Sequence, residues 1–259
     1  MEKKIGLALG SGAAKGYAHI GALKVLEEYK IPIHIITGSS IGSLIGALYA
    51  SGINIKIIEG LAYNIKRRHF LDITLPRSGL IAGNKIYEML RLLTKDKDFS
   101  ELRIPLGVAV TELKSKKLLI LREGNVAFAV RASISIPGIF NPVLTQDGKI
   151  LVDGGVLERV PGKAAREMGA DIVIGVELGF SERKNLNTIY DILFETFDIM
   201  GREIQNLKGY DCDILITPRL EKVNPMAFGE PEYCIEEGKR ATLEAIPRIL
   251  SLLEEKCYE

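Results

Sequence analysis

Residues Gly38-Ser39-Ser40-Ile41-Gly42 form a G-x-S-x-G string between a β-branched run and a run with helical spacing. Glycines at both ends admit a sharp strand-to-helix turn that lifts the central hydroxyl above a sheet edge, and the helix start beyond it favours developing negative charge. Ser40 is the candidate nucleophile; Ser39 and Ser43 read as a turn residue and a first-turn helix residue. A serine hydroxyl needs a base. The chain has three histidines, His19, His34 and His69, and none follows the elbow at the distance a Ser, Asp, His order requires. His34 falls in the second strand, where packing explains it. His69 follows Lys66-Arg67-Arg68 as a solvated helix end, and His19 lies one turn past a glycine-rich loop, where it could approach the site.

An acidic alternative is Asp153, followed by Gly154 and Gly155 and preceded by the apolar run Ile150-Leu151-Val152. Asp-Gly is a common turn pair, so a plain β-turn is one reading. The other is a carboxylate at a strand end that projects into the cleft beside Ser40. Near its reference value of about 3.9, an aspartate is a poor base for serine. Burial would have to raise its proton affinity.

A third feature, Gly10-Ser11-Gly12-Ala13-Ala14-Lys15-Gly16, comes directly after the first apolar run. Small residues there let backbone N–H groups meet an anion at a helix start. A dinucleotide site would also want an acid near the end of the second strand. That strand ends Thr37-Gly38-Ser39-Ser40, which points to a transient oxyanion rather than a bound pyrophosphate. A tight turn without function and a nucleotide-binding regulatory protein remain the competing readings.

These groups need a scaffold that brings three distant loops together. Apolar runs predict strands over 5–9, 33–37, 106–111, 118–121, 150–152, 172–177 and 214–217, and helices over 17–29, 41–50, 54–66, 84–94, 125–133, 162–168, 187–207 and 232–254. The β-α-β-α opening predicts an α/β fold: a three-layer α/β/α arrangement around a mainly parallel central sheet. Residues 70–83 are the least periodic and read as a surface excursion or lid. In helix 187–207 the stripe Ile189, Leu193, Phe197, Met200, Ile204 and Leu207 reads as core-facing. Basic residues 66–68 beside Leu71, Leu75, Leu80 and Ile81 form the candidate for transient contact with a lipid surface.

With 259 residues the chain is long enough for one large core, and a single domain over 1–259 is expected. Net charge is +1, from 34 Lys and Arg against 33 Asp and Glu. No basic field exists to recruit nucleic acid, and charge alone would not hold the protein to an anionic membrane. Residues 31–55 carry no charged side chain, but Pro32 and four glycines break them into strand, turn and helix rather than a membrane span. Cys212, Cys234 and Cys257 have no metal-ligand spacing and read as reduced thiols. The apolar run after Met1-Glu2-Lys3-Lys4 is too short for a signal sequence, so a cytoplasmic location is expected.

Taken together, the run Leu7–Gly16 with Ala18-His19-Ile20-Gly21, the elbow, Arg131-Ala132-Ser133-Ile134-Ser135-Ile136-Pro137-Gly138-Ile139-Phe140, and Asp153-Gly154-Gly155-Val156 resemble the patatin-like phospholipase family in order and spacing. The likeness is to its small bacterial members and to the catalytic domain of neuropathy target esterase. It implies a Ser40–Asp153 dyad in which the carboxylate takes the serine proton directly and later activates water. It also assigns the oxyanion hole to Gly10, Ser11, Gly12 and Ala13, with donors around Gly12 and Ala13. Ser11 and Ala13 stand where many relatives have glycine, and Lys15 where arginine is usual. The implied activity is hydrolysis of lipid or short acyl esters, including phospholipids and lysophospholipids, with no metal or cofactor. Acyl transfer on the same dyad is the alternative.

Overall fold

The computed structural model describes residues 3–64, 72, 78–180, 186–225 and 229–254. Its centre is a mixed, mostly parallel sheet. Strands β1 (Ile5–Leu9), β2 (Ile35–Ser39), β3 (Leu106–Glu112) and β7 (Ile172–Val176) are buried along their whole length, which is why they read as continuous apolar runs rather than alternating ones. Along the hydrogen-bonded path the order is β5-β6-β3-β2-β1-β7-β8, where β5 is Val143–Leu144, β6 is Ile150–Asp153 and β8 is Ile214–Ile216; β4 (Lys117–Leu121) also pairs with β3. Pairs β1–β2, β1–β7, β2–β3 and β7–β8 are parallel, and those involving β4, β5 and β6 are antiparallel.

Helices cover the sheet. α1 (Tyr17–Glu28), α2 (Ile41–Ala50) and α5 (Val126–Ser133) line one side, with α3 (Ile55–Asn64) and α4 (Asn84–Thr94) packed outside them and α8 (Pro231–Glu254) packed on α1 and on β8. α6 (Gly162–Glu167) packs on β1, β2 and β7. α7 is Ile189–Lys208. The main core contains Leu7, Leu9, Ile36, Val108 and Ile174 from the sheet with Ile20, Leu23, Leu48, Val130 and Ile235 from the helices. Each such side chain contributes about 1.5–3 kcal/mol by leaving water.

Three expectations need correction. β2 starts at Ile35 rather than residue 33, because His34 is occupied beside the ladder: its N–H donates to Ile5 O and its Nδ1 accepts from Ile5 N–H. The α7 stripe does not face the core: Ile189, Met200 and Leu207 are 68%, 48% and 86% exposed, while Phe194, Gly201 and Gln205 form the buried side. Phe194 is one position from the expected stripe, and that rotation leaves Leu193, Phe197 and Ile204 half-buried and turns Ile189, Met200 and Leu207 outward. β5 has no counterpart among the expected strands, since two residues leave no periodic trace. Of the lipid-contact candidates, residues 66–68, Leu71 and Leu75 lie outside the described residues, as do His69 and most of 70–77.

Candidate active site

Register explains how Ser40 meets Asp153. β4 pairs with β3 over Val108–Glu112, occupying one edge. The other edge is therefore shared: β2 pairs with Leu106–Ala109, and β6 pairs with Val110–Glu112. β2 departs after Ser39, opposite Ala109, and β6 arrives with Asp153 opposite Val110, so the two strands meet end to end where Ser40 begins its turn. Gly154 lies against the β3 backbone there, where a Cβ would come within 2.3 Å of Ala109 O. Only glycine permits that approach.

Ser40 has φ 53° and ψ −124°, a backbone conformation that side-chain-bearing residues rarely adopt. Its Oγ donates to Asp153 Oδ2 at 2.5 Å, and Asp153 Oδ1 accepts from Gly155 N–H at 2.7 Å. Ser40 and Asp153 are both buried, at 4% and 5% exposure. Burial pushes the Asp153 carboxyl up to about 6, although the Ser40 and Gly155 hydrogen bonds and the Arg159 charge pull the other way.

The run 131–140, which stands out in the sequence only through resemblance, anchors both groups. Ser133 Oγ accepts from Ser40 N–H at 2.9 Å and donates to Ala109 O at 2.7 Å, while Ser135 O accepts from Asp153 N–H at 3.0 Å. Arg131 fastens this run to the start of α4 by donating to Ala82 O and Gly83 O, and closes the run on itself by donating to Asn141 O.

The glycine-rich loop offers fewer donors than expected. Gly10 N–H donates to Val176 O and Ser11 N–H to Arg159 O, so neither is available to a ligand. Gly12 and Ala13 N–H groups have no acceptor among the described residues. Ala13 takes φ 50°, a left-handed conformation despite its Cβ. His19 braces this loop: its Nε2–H donates to Gly10 O at 2.8 Å, and complete burial pushes its ring down to about 4, which keeps it neutral. It makes no bond to Ser40. Lys15 is 1% exposed, and its Nζ has no hydrogen-bond partner among the described residues; burial lowers it to about 8.

Two compartments meet at Ser40, Ala13 and Ile136. One is apolar, with an empty volume of about 940 Å³ including its open mouth, and runs between α2, α3 and α4. The other, about 610 Å³ on the same basis, is the more polar of the two: Asp153, Lys15, Arg159 and Asp198 line it together with apolar residues such as Val156, Phe194 and Phe197. Arg159 sits 3.7 Å from Glu177 and 3.5 Å from Asp198, with its guanidinium over the Phe180 ring.

Fold and site define an α/β protein with a serine on a strand-to-helix elbow beside a buried carboxylate. The same fold occurs in VipD from Legionella pneumophila, with a TM-score of 0.72 and 15% identity over 96% of this chain and 67% of that one. It occurs also in ExoU, in its heterodimeric complex with SpcU from Pseudomonas aeruginosa, with a TM-score of 0.52 and 18% identity over 96% and 52% of the two chains. Residues 7–166 match the model of the patatin-like phospholipase family, and the chain belongs to that family. Mouse patatin-like phospholipase domain-containing protein 6 is 33% identical over 203 residues, 73% of this chain and 14% of the relative. An uncharacterized NTE family protein of Mycobacterium bovis is 35% identical over 182 residues, 69% of this chain and 50% of that protein. The chain thus spans a small part of the mammalian relative and half of the mycobacterial one. Among the described residues no helix is long and apolar enough to cross a membrane.

Proposed function

We propose that the chain hydrolyses carboxylic esters of lipids through a Ser40–Asp153 dyad. The observation that carries this reading is the 2.5 Å Ser40–Asp153 hydrogen bond, set where an apolar and a polar compartment join. Ser40 Oγ attacks the ester carbonyl as its proton passes to Asp153 Oδ2. The tetrahedral oxyanion is held by the Gly12 and Ala13 N–H groups. Collapse breaks the carbonyl–alkoxy bond, and the proton on Asp153 leaves with the alcohol. Asp153 then takes a proton from water as that water attacks the acyl-enzyme; collapse breaks the bond from the carbonyl carbon to Ser40 Oγ, the proton on Asp153 returns to Ser40 Oγ, and the acid is released. The acyl chain occupies the apolar compartment, and the alcohol portion leaves through the polar one.

Two outcomes test this reading. A fluorophosphonate labels Ser40 in the wild type and leaves Ser40→Ala unlabelled; equal labelling of both excludes Ser40 as the nucleophile. Hydrolysis of a chromogenic acyl ester falls as pH drops through about 6, since a protonated Asp153 cannot accept the serine proton. The loss approaches tenfold per pH unit below that point. A profile flat from pH 8 to 5 overturns Asp153 as the base.

A further inference from the structure

The apolar compartment has a direction. At Ser40 its walls are partly open, with Ile41, Leu44 and Ile136 half-buried, and farther along α2 the lining is more buried: Ile45 and Leu48 are 4% and 3% exposed, and among the α3 and α4 side chains that line it Ile58 and Leu90 are 1% and 0% exposed while Leu61, Met89 and Leu93 are half-buried. Ile41, Leu44, Ile45 and Leu48 recur at helical spacing, so the slot follows the α2 axis for two turns. Among the described residues Tyr17 is the one polar lining residue besides Ser40, and no charged side chain lines the slot. The more buried end therefore has nothing to offer a head group or a hydrated ion.

Its length can be read from the helix. Seven residues from Ile41 to Leu48 advance about 10.5 Å at ~1.5 Å each. A fully extended chain covers about 3.5 Å in three bonds, or roughly 1.2 Å per bond, so this span takes roughly nine bonds. We propose that the compartment is a closed-ended slot for one unbranched acyl chain of about eight to ten carbons, with Leu48, Ile58 and Leu90 as the stop that sets chain length. The inference rests on the acyl-ester reading of Ser40 and assigns that site its acyl class. Leu48 is the position to vary, because it is the last α2 side chain in the wall and shares the closed end with Ile58 and Leu90. A larger side chain there shortens the slot and a smaller one lengthens it.

The test has two arms. In the first, hydrolysis of p-nitrophenyl esters with four to sixteen carbons is compared in wild type, Leu48→Phe and Leu48→Ala. The wild type peaks at eight to ten carbons. Leu48→Phe lowers the ten-to-four-carbon rate ratio at least tenfold, and Leu48→Ala raises the fourteen-to-eight ratio similarly, since about one methylene too many or too few in a fitted pocket costs tenfold or more. The opposite directions separate a shortened slot from a damaged fold. In the second arm, displacement of a fluorescent fatty acid by unlabelled acids of six to sixteen carbons is measured on Ser40→Ala with and without Leu48→Phe, and the longest tightly bound acid becomes shorter in the double variant. Ser40-dependent hydrolysis with a length profile that neither Leu48 variant moves overturns the slot and leaves the esterase reading standing. A Leu48-dependent cutoff in binding without hydrolysis by the wild type supports the slot and removes the esterase reading.

Discussion

Asp153→Asn is expected to abolish hydrolysis and, at the same time, to make the protein more stable at neutral pH. The activity loss is on the order of 10²–10⁴, the contribution of a positioned general base. The stability gain follows from the proton balance. Burial raises the folded-state carboxyl from 3.8 to about 6, so between those values the folded state binds more protons than the unfolded one. Stability therefore falls as pH rises through that window. Above pH 6 the full cost of the buried charge is present, about 3 kcal/mol at ~1.36 kcal/mol per pK unit. Asparagine is isosteric and neutral. Its Oδ1 still accepts from Gly155 N–H, and its amide can donate to Ser40 Oγ. At pH 8 thermal unfolding should shift upward by roughly 2–4 °C per kcal/mol, whereas at pH 4 the two proteins should melt close together. Equal melting temperatures at both pH values would remove the buried, charged Asp153 from the account, and so would hydrolysis by the variant within tenfold of wild type.

The same carboxylate marks a limit of sequence reading. Its turn signal, Asp-Gly, is as consistent with a surface turn as with a base, because what distinguishes them is burial and the tandem use of one edge of β3 by β2 and β6. No local pattern encodes that pairing: residues 39 and 153 converge only after the chain has passed through α2, α3, α4, β3, β4, α5 and β5. The elbow is legible because all its parts are local, a strand ending in glycine and a helix starting after Ser40. The unbonded N–H groups of the glycine-rich loop are only half legible. Gly10, Ser11, Gly12 and Ala13 look alike as small residues, and their hydrogen bonding separates because Val176 O and Arg159 O lie beside the first two. The position of His19 one turn past the loop allows an approach to the site, and the fold instead turns it toward the carbonyl of Gly10. For α7 the helical period is correct and the face is not: Leu193 and Phe197 are only partly buried, and no pattern within one helix says which neighbours will cover it.

The second large effect is expected from one methyl group on Gly42. A Cβ there would lie 2.1 Å from Leu9 O, 2.5 Å from Leu9 C and 2.7 Å from Gly10 O. These are backbone atoms at the end of β1, which is held between β2 and β7 and by the bond from Gly10 N–H to Val176 O. They cannot yield as a side-chain tip would, so Gly42→Ala must push the start of α2 away from the sheet. Ser40 is the residue before that helix, with its N–H on Ser133 and its Oγ on Asp153. Overpacking of this kind costs about 1–3 kcal/mol, and rigid atoms on one side put Gly42 at the upper end. If Ser40 is the nucleophile proposed above, displacing it by even ~1 Å is worth about a hundredfold in rate. Gly60 provides the contrast: it lies within α3, and a methyl group there would meet nothing within 4 Å, so alanine should add about 0.5–1 kcal/mol through helix propensity. Gly46, one turn after Gly42, would meet Ile36 Cγ2 at 2.9 Å, a side-chain atom, so its alanine variant should fall between the two. Urea unfolding midpoints in the order Gly60→Ala, Gly46→Ala, Gly42→Ala from most to least stable, with activity lost chiefly in the last, identify the contact with β1 as what seats the nucleophile. A Gly42→Ala protein with wild-type midpoint and rate would mean that α2 can shift without moving Ser40, and the elbow would then owe its position to Ser133 and Asp153 rather than to the contact with β1.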